Sequence, residues 1–265
     1  MDVFSRAGAS GVHIVSDFDL TLTTGKERGK NMATWDVLDG LMPPSGVEAH
    51  RAIYESFRPY EIAGTLDEEM ATKSWSDLFD LITSYSFSQE DIEAAFLSLV
   101  DLRPGAKELF DLCLSHEIPT VVLSAGIKDV IEVMTNYHDL RPTHILSNEL
   151  IYDEKGKVYD WRRDKLVHIA NKHVMVGDRI LGMRETHPNI ILLGDAIDDV
   201  KMASGDERVI RIRVVEPREG ETYDREQALD TSFKAGYDLV TEYSLSPVIG
   251  MIDQIINNYD LSMSQ

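Results

Sequence analysis

Apolar residues first run together at positions 12–16, without helical spacing, and stop at the acidic turn Asp17-Phe18-Asp19. That pattern predicts a buried strand whose carboxyl end carries two carboxylates. From about residue 25 to residue 102 the texture changes. Apolar positions recur at helical spacing over 46–57, 66–85 and 89–100, with no convincing strand between them, so a helical insertion is expected. Pro104 then opens a predicted helix through His116, and the apolar run 118–123 predicts a second buried strand ending at Ser124.

The alternation continues beyond this point. A helix over 128–137, a strand over 143–146 and a hairpin over 150–159 turning at Glu154-Lys155-Gly156 precede a third buried strand, 189–193, which ends at Gly194-Asp195. Strands at 209–214 and 238–241 follow, with helices at 225–234 and 246–257. Strands alternating with helices predict an α/β fold built on a doubly wound, mainly parallel sheet. In such sheets ligands bind outside the carboxyl ends of the strands. Three of the predicted strand ends carry Asp17 and Asp19, Ser124, and Asp195.

Composition narrows the classes. The 265 residues are 43% hydrophobic and 27% charged, enough for a full α/β core plus a smaller inserted unit. No apolar run reaches the roughly 18 residues that span a bilayer, and the opening residues lack the apolar stretch of a secretory signal, so a soluble, cytoplasmic protein with no membrane partner is expected. The single cysteine, Cys113, falls in a helical pattern where it packs as a small apolar residue, which excludes a cysteine metal site. A formal charge of −20 argues against a nucleic-acid-binding face. It also means that an anionic substrate needs local positive charge, most simply a divalent cation held by some of the carboxylates.

Within Asp17-Phe18-Asp19-Leu20-Thr21-Leu22-Thr23, two carboxylates leaving a strand at i and i+2 can divide labour. One attacks phosphorus, and the other lends its carbonyl to a metal and its side chain to proton transfer. The competing reading of the heptad is an Asp-rich turn with capping threonines. Taken singly, Ser124 reads as a strand-end cap and Lys172 as a surface lysine, with Arg163 and Lys165 standing close to it in sequence. Asp195, after an apolar strand and a glycine, is a stronger signal, because a carboxylate at a crevice needs a partner. Of the adjacent Asp198 and Asp199, one fits a metal-site spacing and the other a solvated helix start.

In order along the chain, these segments resemble the motifs of the haloacid dehalogenase superfamily: DxDxT at Asp17 to Thr21, a strand ending in Ser at Ser124-Ala125-Gly126, an upstream Lys at Lys172, and GDxxxD from Gly194 to Asp199. The resemblance implies that Asp17 is the nucleophile, that Asp19 protonates the leaving alcohol and then activates water, and that Ser124, Ala125, Gly126 and Lys172 bind the phosphoryl group. It also implies Mg²⁺ held by Asp17, Asp195 and the carbonyl of Asp19, with Asp199 directly or through water. An Asp at position 19 separates phosphatase from dehalogenase chemistry within that superfamily.

A narrower resemblance is carried by residues 14–22, 123–130, 147–148, 166–173, 189–195 and 236–256, which look like type-three cytosolic 5′-nucleotidases, the pyrimidine 5′-nucleotidase family. It implies hydrolysis of a nucleoside monophosphate such as UMP, CMP or 7-methylguanosine monophosphate. It further implies a core domain of residues 1–24 and 103–265 and a helical cap domain of residues 25–102. Tyr60-Glu61-Ile62 resembles the segment whose Glu contacts the base, and Trp75 resembles a Trp of the next cap helix. Glu61 is accordingly either a base contact or one more surface acid. Phe57 and Trp75 either stack on a base or pack a core, and Ser147 and Asn148 either line the crevice or end a strand. Two other functions compete: a phosphatase for a sugar phosphate or phosphoserine, and a non-catalytic binding module.

Overall fold

In the computed structural model, which describes residues 2–24, 33–63, 65–96, 101–174, 177–216 and 223–263, a short helix, α1 (Asp2–Ala7), precedes strand β1 (Val12–Ser16), buried at every position. The chain then turns into β2 (Thr23–Thr24), which pairs antiparallel with β3 (Asp101–Leu102). This ribbon brings together the two ends of the insertion beside the carboxyl end of β1. Between the paired strands lie α2 (Thr34–Asp39), α3 (Pro44–Ile62), α4 (Glu68–Thr83) and α5 (Gln89–Phe96). The insertion is thus helical, as its periodicity predicts, and residues 97–100 of the expected third helix lie outside the described residues.

Two of these helices depart from their predicted bounds for local reasons. Asp67 accepts a hydrogen bond from Met70 N at 2.8 Å and caps α4, so that helix starts after residue 66. Helix α3 continues past Phe57 to Ile62, beyond the reach of the periodicity, since its last turn, with Arg58, Tyr60 and Glu61, is partly or fully exposed. Helix α2 is absent from the sequence reading because only six residues form it.

Beyond the ribbon come α6 (Ala106–Ser115), β4 (Thr120–Ile127), α7 (Lys128–Tyr137) and β5 (His144–Asn148), then a hairpin of β6 (Leu150–Tyr152) and β7 (Val158–Trp161). Helix α6 starts two residues later than predicted because Pro104 and Gly105, the latter at φ +91°, form the turn ahead of it. Strand β4 starts at Thr120, since Pro119 has no N–H to donate, and its register shifts after Leu123. Helix α8 (Gly177–Thr186), unexpected from the sequence, precedes β8 (Asn189–Gly194) and β9 (Val209–Val215). Helix α9 (Arg225–Ala235), strand β10 (Leu239–Glu242) and helix α10 (Ser246–Met263) complete the order.

Six strands form one sheet in the order β10-β9-β8-β1-β4-β5, with every pairing parallel. Successive residues of β1 point to opposite faces and join different apolar clusters. Ile14 belongs to the cluster that holds Leu109, Ile191 and Ile252, and Val15 to the one that holds Leu123, Ile180 and Leu192. Both faces are therefore covered, and the central strands read as continuous apolar runs. Cys113 is buried in the first cluster, where burial pushes its thiol up to about 12. Among the described residues, no helix is long and apolar enough to cross a membrane.

The connections from β1 and β8 leave toward opposite edges of the sheet, so the crevice opens where the carboxyl ends of β1, β4 and β8 meet. The insertion stands over this crevice: Trp75 of α4 donates its indole N–H to the carbonyl of Ala125 at 3.1 Å. The β6–β7 hairpin also holds the insertion. Val158 N donates to Phe87 O at 2.8 Å, Trp161 Nε1 to Asp80 at 2.8 Å, and the Trp161 ring stacks on Phe79 with centroids 5.0 Å apart.

Candidate active site

Asp17 extends β1 by one hydrogen bond, from its N–H to Leu193 O at 2.9 Å, and so stands at the sheet's edge with its side chain buried. The chain then coils tightly. Phe18 O accepts from the N–H groups of Thr21, Leu22 and Thr23, Leu20 takes φ +59°, and Thr23 Oγ1 accepts from Leu20 N at 2.9 Å. Arg103, 1% exposed, clamps this coil. It donates to the carbonyls of Leu20, Thr21 and Thr23 at 2.5, 2.7 and 3.2 Å and pairs with Glu216 at 2.8 Å.

Strand β8 delivers the facing acids. Carboxylate oxygens of Asp17, Asp195 and Asp199 lie within 4.8 Å of one another. Asp199 is 2% exposed and accepts from Ala196 N at 3.0 Å, whereas Asp198 points outward to an ion pair with Lys201 at 2.6 Å. A Cβ at Gly194 would stand 2.4 Å from that of Asp199, so only glycine allows this packing. The carbonyls of Asp195 and Ala196 are fixed by Arg213 Nε at 3.0 Å and the Tyr237 hydroxyl at 2.6 Å.

Lys172 lies 2.8 Å from Asp17 and 2.8 Å from Asp199. Burial alone would lower its pKa, but the two carboxylates hold the ammonium well above its usual range. Burial pushes Asp17 up, with Lys172 opposing and Asp199 and Asp195 adding to the rise. Asp19 is also pushed up, to about 7, by burial and by the charge of Asp17. Its carboxylate accepts from Thr34 N at 2.8 Å and from Thr34 Oγ1 at 2.9 Å. The neighbouring cations point elsewhere: Arg163 binds Asp80 at 2.6 Å, and Lys165 faces Glu149 at 3.6 Å.

Ser124 sits at the register shift of β4, its Oγ accepting from Gly126 N at 3.0 Å. Ser147 and Asn148 do not line the crevice. They are buried behind it, with Asn148 Nδ2 donating to the carbonyls of Ala125 and Gly126 at 3.0 Å each and Ser147 Oγ to Gly126 O at 2.9 Å. Asn148 also binds Val167 through both its N–H and C=O, which ties the loop carrying Lys172 to β4.

These groups form one end of a cavity of about 470 Å³ lined by Asp17, Asp19, Ser124, Ala125, Gly126, Lys172 and Asp195. The insertion lines the other end with aromatic rings, Trp35, Tyr54, Phe57 and Trp75, set among charged groups that include Asp36, Asp39 and Arg51. Trp35 stacks on His50, which pairs with Asp39 at 2.6 Å, and Phe57 and Trp75 meet with centroids 5.2 Å apart. Phe57 and Trp75 thus pack the core and line the cavity together. Glu61 also lines it, in an ion pair with Arg58 at 2.7 Å, and the Arg58 guanidinium lies 5.7 Å from the centre of the Tyr54 ring.

Arg103, Thr34, Arg213 and Tyr237 are absent from the sequence reading. Each acts through a distant backbone or carboxylate partner, and no local spacing marks such a role. The pairing of Arg58 with Glu61 did carry a signal, the i,i+3 spacing on a helix. Chemically, the cavity's inner end offers converging oxygen donors, a nearby ammonium and an aspartate of raised pKa, a set that fits a hard divalent cation and phosphoryl chemistry.

The sequence model of the pyrimidine 5′-nucleotidase (UMPH-1) family matches residues 20–255. The 7-methylguanosine phosphate-specific 5′-nucleotidase of Gallus gallus is 28% identical over 263 residues, covering 94% of this chain and 89% of that protein. The corresponding protein of Homo sapiens is 26% identical over 265 residues, covering 95% and 87%. Among solved structures, cytosolic 5′-nucleotidase IIIB bound to cytidine superposes with a TM-score of 0.81 at 21% identity, covering 99% of this chain and 90% of that one. A phospho-aspartyl intermediate analogue of phosphoserine phosphatase gives 0.58 at 16% identity, covering 91% and 98%. With a family match across most of its length, this chain belongs to the pyrimidine 5′-nucleotidase family and is a phosphomonoester hydrolase, built on the all-parallel fold it shares with the phosphoserine phosphatase structure.

Proposed function

We propose that the chain is a Mg²⁺-dependent phosphatase that hydrolyses nucleoside 5′-monophosphates through an aspartyl-phosphate on Asp17. The carrying observation is the two-ended cavity: Asp17, Lys172 and Asp195 at one end, aromatic side chains and the Arg58–Glu61 pair at the other. A phosphate fits the first end and a flat, hydrogen-bonding base the second. Phosphoserine has no ring to place against Trp35, Phe57 and Trp75, and a sugar offers them only a C–H face where a base offers a flat π-surface.

In this mechanism a carboxylate oxygen of Asp17 attacks phosphorus, and the bond from phosphorus to the 5′-oxygen breaks. Asp19 gives its proton to that oxygen, so the nucleoside leaves as a neutral alcohol. Asp19 then takes a proton from water as the water oxygen attacks phosphorus, which breaks the bond to Asp17 and frees phosphate. Ser124 and Lys172 hold the non-bridging oxygens, with Ala125 and Gly126 forming the adjoining wall. Asp17, Asp195 and the carbonyl of Asp19 would hold Mg²⁺, with Asp199 directly or through water; when bound, the ion supplies charge to offset the phosphate dianion among these acids.

In this reading residues 25–102 are a cap domain that selects the alcohol and residues 1–24 and 103–265 are the catalytic core, acting in the cytoplasm like the cytosolic relative. Glu61 supplies the acceptor for an exocyclic amine or ring N–H, and Arg58 a donor beside it. The test is phosphate release from UMP, CMP, GMP, 7-methylguanosine monophosphate, phosphoserine and a sugar phosphate, with Mg²⁺ and with EDTA. Turnover of nucleotides only with Mg²⁺ is expected. Hydrolysis of phosphoserine or the sugar phosphate alone would overturn the nucleotide assignment, and full turnover in EDTA would overturn the metal.

A further inference from the structure

The nucleophile and the proton carrier are held by different parts of the molecule. Asp17 is fixed by the sheet, through Leu193 O, and by Lys172. Asp19 is held instead by Thr34, the first residue of α2, a helix of the insertion. Thr34 grips both carboxylate oxygens: its N–H reaches Oδ1 at 2.8 Å and its hydroxyl reaches Oδ2 at 2.9 Å.

The direction of the hydroxyl hydrogen is determined by a third contact. Ile127 N donates to Thr34 Oγ1 at 3.2 Å, which occupies the acceptor side of the oxygen and leaves its hydrogen for Asp19. The same packing explains why residue 126 lacks a side chain. A Cβ there would lie 2.3 Å from Thr34 Oγ1 and 2.7 Å from Asp19 Oδ2.

We propose that Thr34 is a positioning residue for Asp19, through which the insertion sets the geometry of proton transfer while leaving the nucleophile untouched. This rests on the reading of Asp19 as the group that protonates the departing alcohol. A carboxylate accepting two hydrogen bonds from one residue is confined to one rotamer, and proton transfer requires placement within hydrogen-bond reach of the leaving oxygen. Displacement of α2 breaks both bonds together, so an insertion standing off the crevice leaves Asp17 ready but Asp19 free to swing away.

A positioning role differs from a merely structural one in its dependence on the leaving group. The value of kcat/KM reports only the steps through release of the alcohol, and p-nitrophenol leaves as its anion without needing a proton. Thr34→Val and Thr34→Ser are to be compared with the parent on UMP and on p-nitrophenyl phosphate, in Mg²⁺, with thermal melts to confirm folding. Thr34→Val keeps the N–H contact and loses the hydroxyl, so kcat/KM for UMP is expected to fall about tenfold or more and that for p-nitrophenyl phosphate far less. Thr34→Ser should recover most of the difference. Equal losses on both substrates, or none on UMP, would overturn the assignment. A parent that ignores UMP but turns over another nucleoside monophosphate is compared on that nucleotide instead; one that ignores all of them would sink the nucleotide reading alone, and Thr34 would then be judged by the same comparison with β-glycerophosphate.

Discussion

Lys172 lies between Asp17 and Asp199, its ammonium 2.8 Å from an oxygen of each, and all three residues are less than a tenth exposed. Removing it leaves buried carboxylates facing one another without a counter-charge, a change that costs about 3–5 kcal/mol when a buried pair is broken. Lys172→Ala should therefore lower thermal stability, recover part of it on addition of Mg²⁺, and reduce turnover by about a hundredfold or more. Arg163→Ala and Lys165→Ala disturb only exposed pairs and should change turnover little. If Arg163→Ala proves the damaging change, the phosphate-facing cation has been misassigned.

The adjacent acids Asp198 and Asp199 are separated just as clearly. Asp199 is held inward by Lys172 and Ala196 N, whereas Asp198 makes a surface pair with Lys201. Asp199→Asn should raise the Mg²⁺ concentration needed for half-maximal rate and slow the enzyme, and Asp198→Asn should do neither. A Mg²⁺ titration of both variants decides, and equal damage would show that both acids serve the site.

Much of this was legible beforehand, and the reason is physical. The strands that carry Asp17, Ser124 and Asp195 at or near their carboxyl ends are covered on both faces, so they appear as mainly apolar runs, with His13 inside β1 and with β4 running three residues past Ser124 to Ile127. Lys172 was reachable only through the order of motifs, because the loop around it has no periodicity. Helix α8 escaped because few of its residues face the core: of those whose side chains are described, only Ile180 and Met183 are buried. Arg103 and Thr34 left no trace, since their partners are distant backbone carbonyls and a distant carboxylate.

Arg103 has a testable consequence of its own. Its guanidinium satisfies the carbonyls of Leu20, Thr21, Thr23 and Tyr243 and the carboxylate of Glu216 in a buried setting. Arg103→Ala takes the guanidinium from all of them, leaving Glu216 its hydrogen bond from Thr24 Oγ1 at 2.6 Å, and should cost about 3–5 kcal/mol in a denaturant titration. Arg103→Lys, with fewer donors and no planar fork, should restore only a fraction. A loss under about 1 kcal/mol for Arg103→Ala would show that water replaces the clamp.

The buried His13 predicts acid sensitivity. It lies in the central strand, 0% exposed, with Nδ1 2.6 Å from His187 O, and burial lowers its pKa from 6.5 to about 4. Between those values the unfolded chain binds a proton that the folded chain does not, so stability is full above pH 6.5 and falls as the pH drops toward 4. The shift corresponds to about 3 kcal/mol from this residue. Urea midpoints measured across that range should fall less steeply for His13→Gln than for the parent. Parallel curves would assign the acid sensitivity to other groups.

The last prediction concerns the end of the cavity that meets the base. Glu61 and Arg58 lie 2.7 Å apart, each about a quarter exposed, so the carboxylate is already balanced by a cation before any substrate arrives. A neutral base can bridge the pair, giving an N–H to Glu61 and accepting from Arg58, whereas 7-methylguanine brings a positive charge toward a guanidinium. Glu61→Ala removes the acceptor and leaves Arg58 without that carboxylate, so the ranking of UMP, CMP, GMP and 7-methylguanosine monophosphate by kcat/KM should flatten for the neutral bases. Arg58→Ala should do the opposite for charge, raising the rate constant for 7-methylguanosine monophosphate relative to GMP by about two- to fivefold, the scale of a partly exposed charge interaction. If both variants keep the parent's ranking, the pair lies outside the base's reach and selection falls to the aromatic wall of Trp35, Phe57 and Trp75.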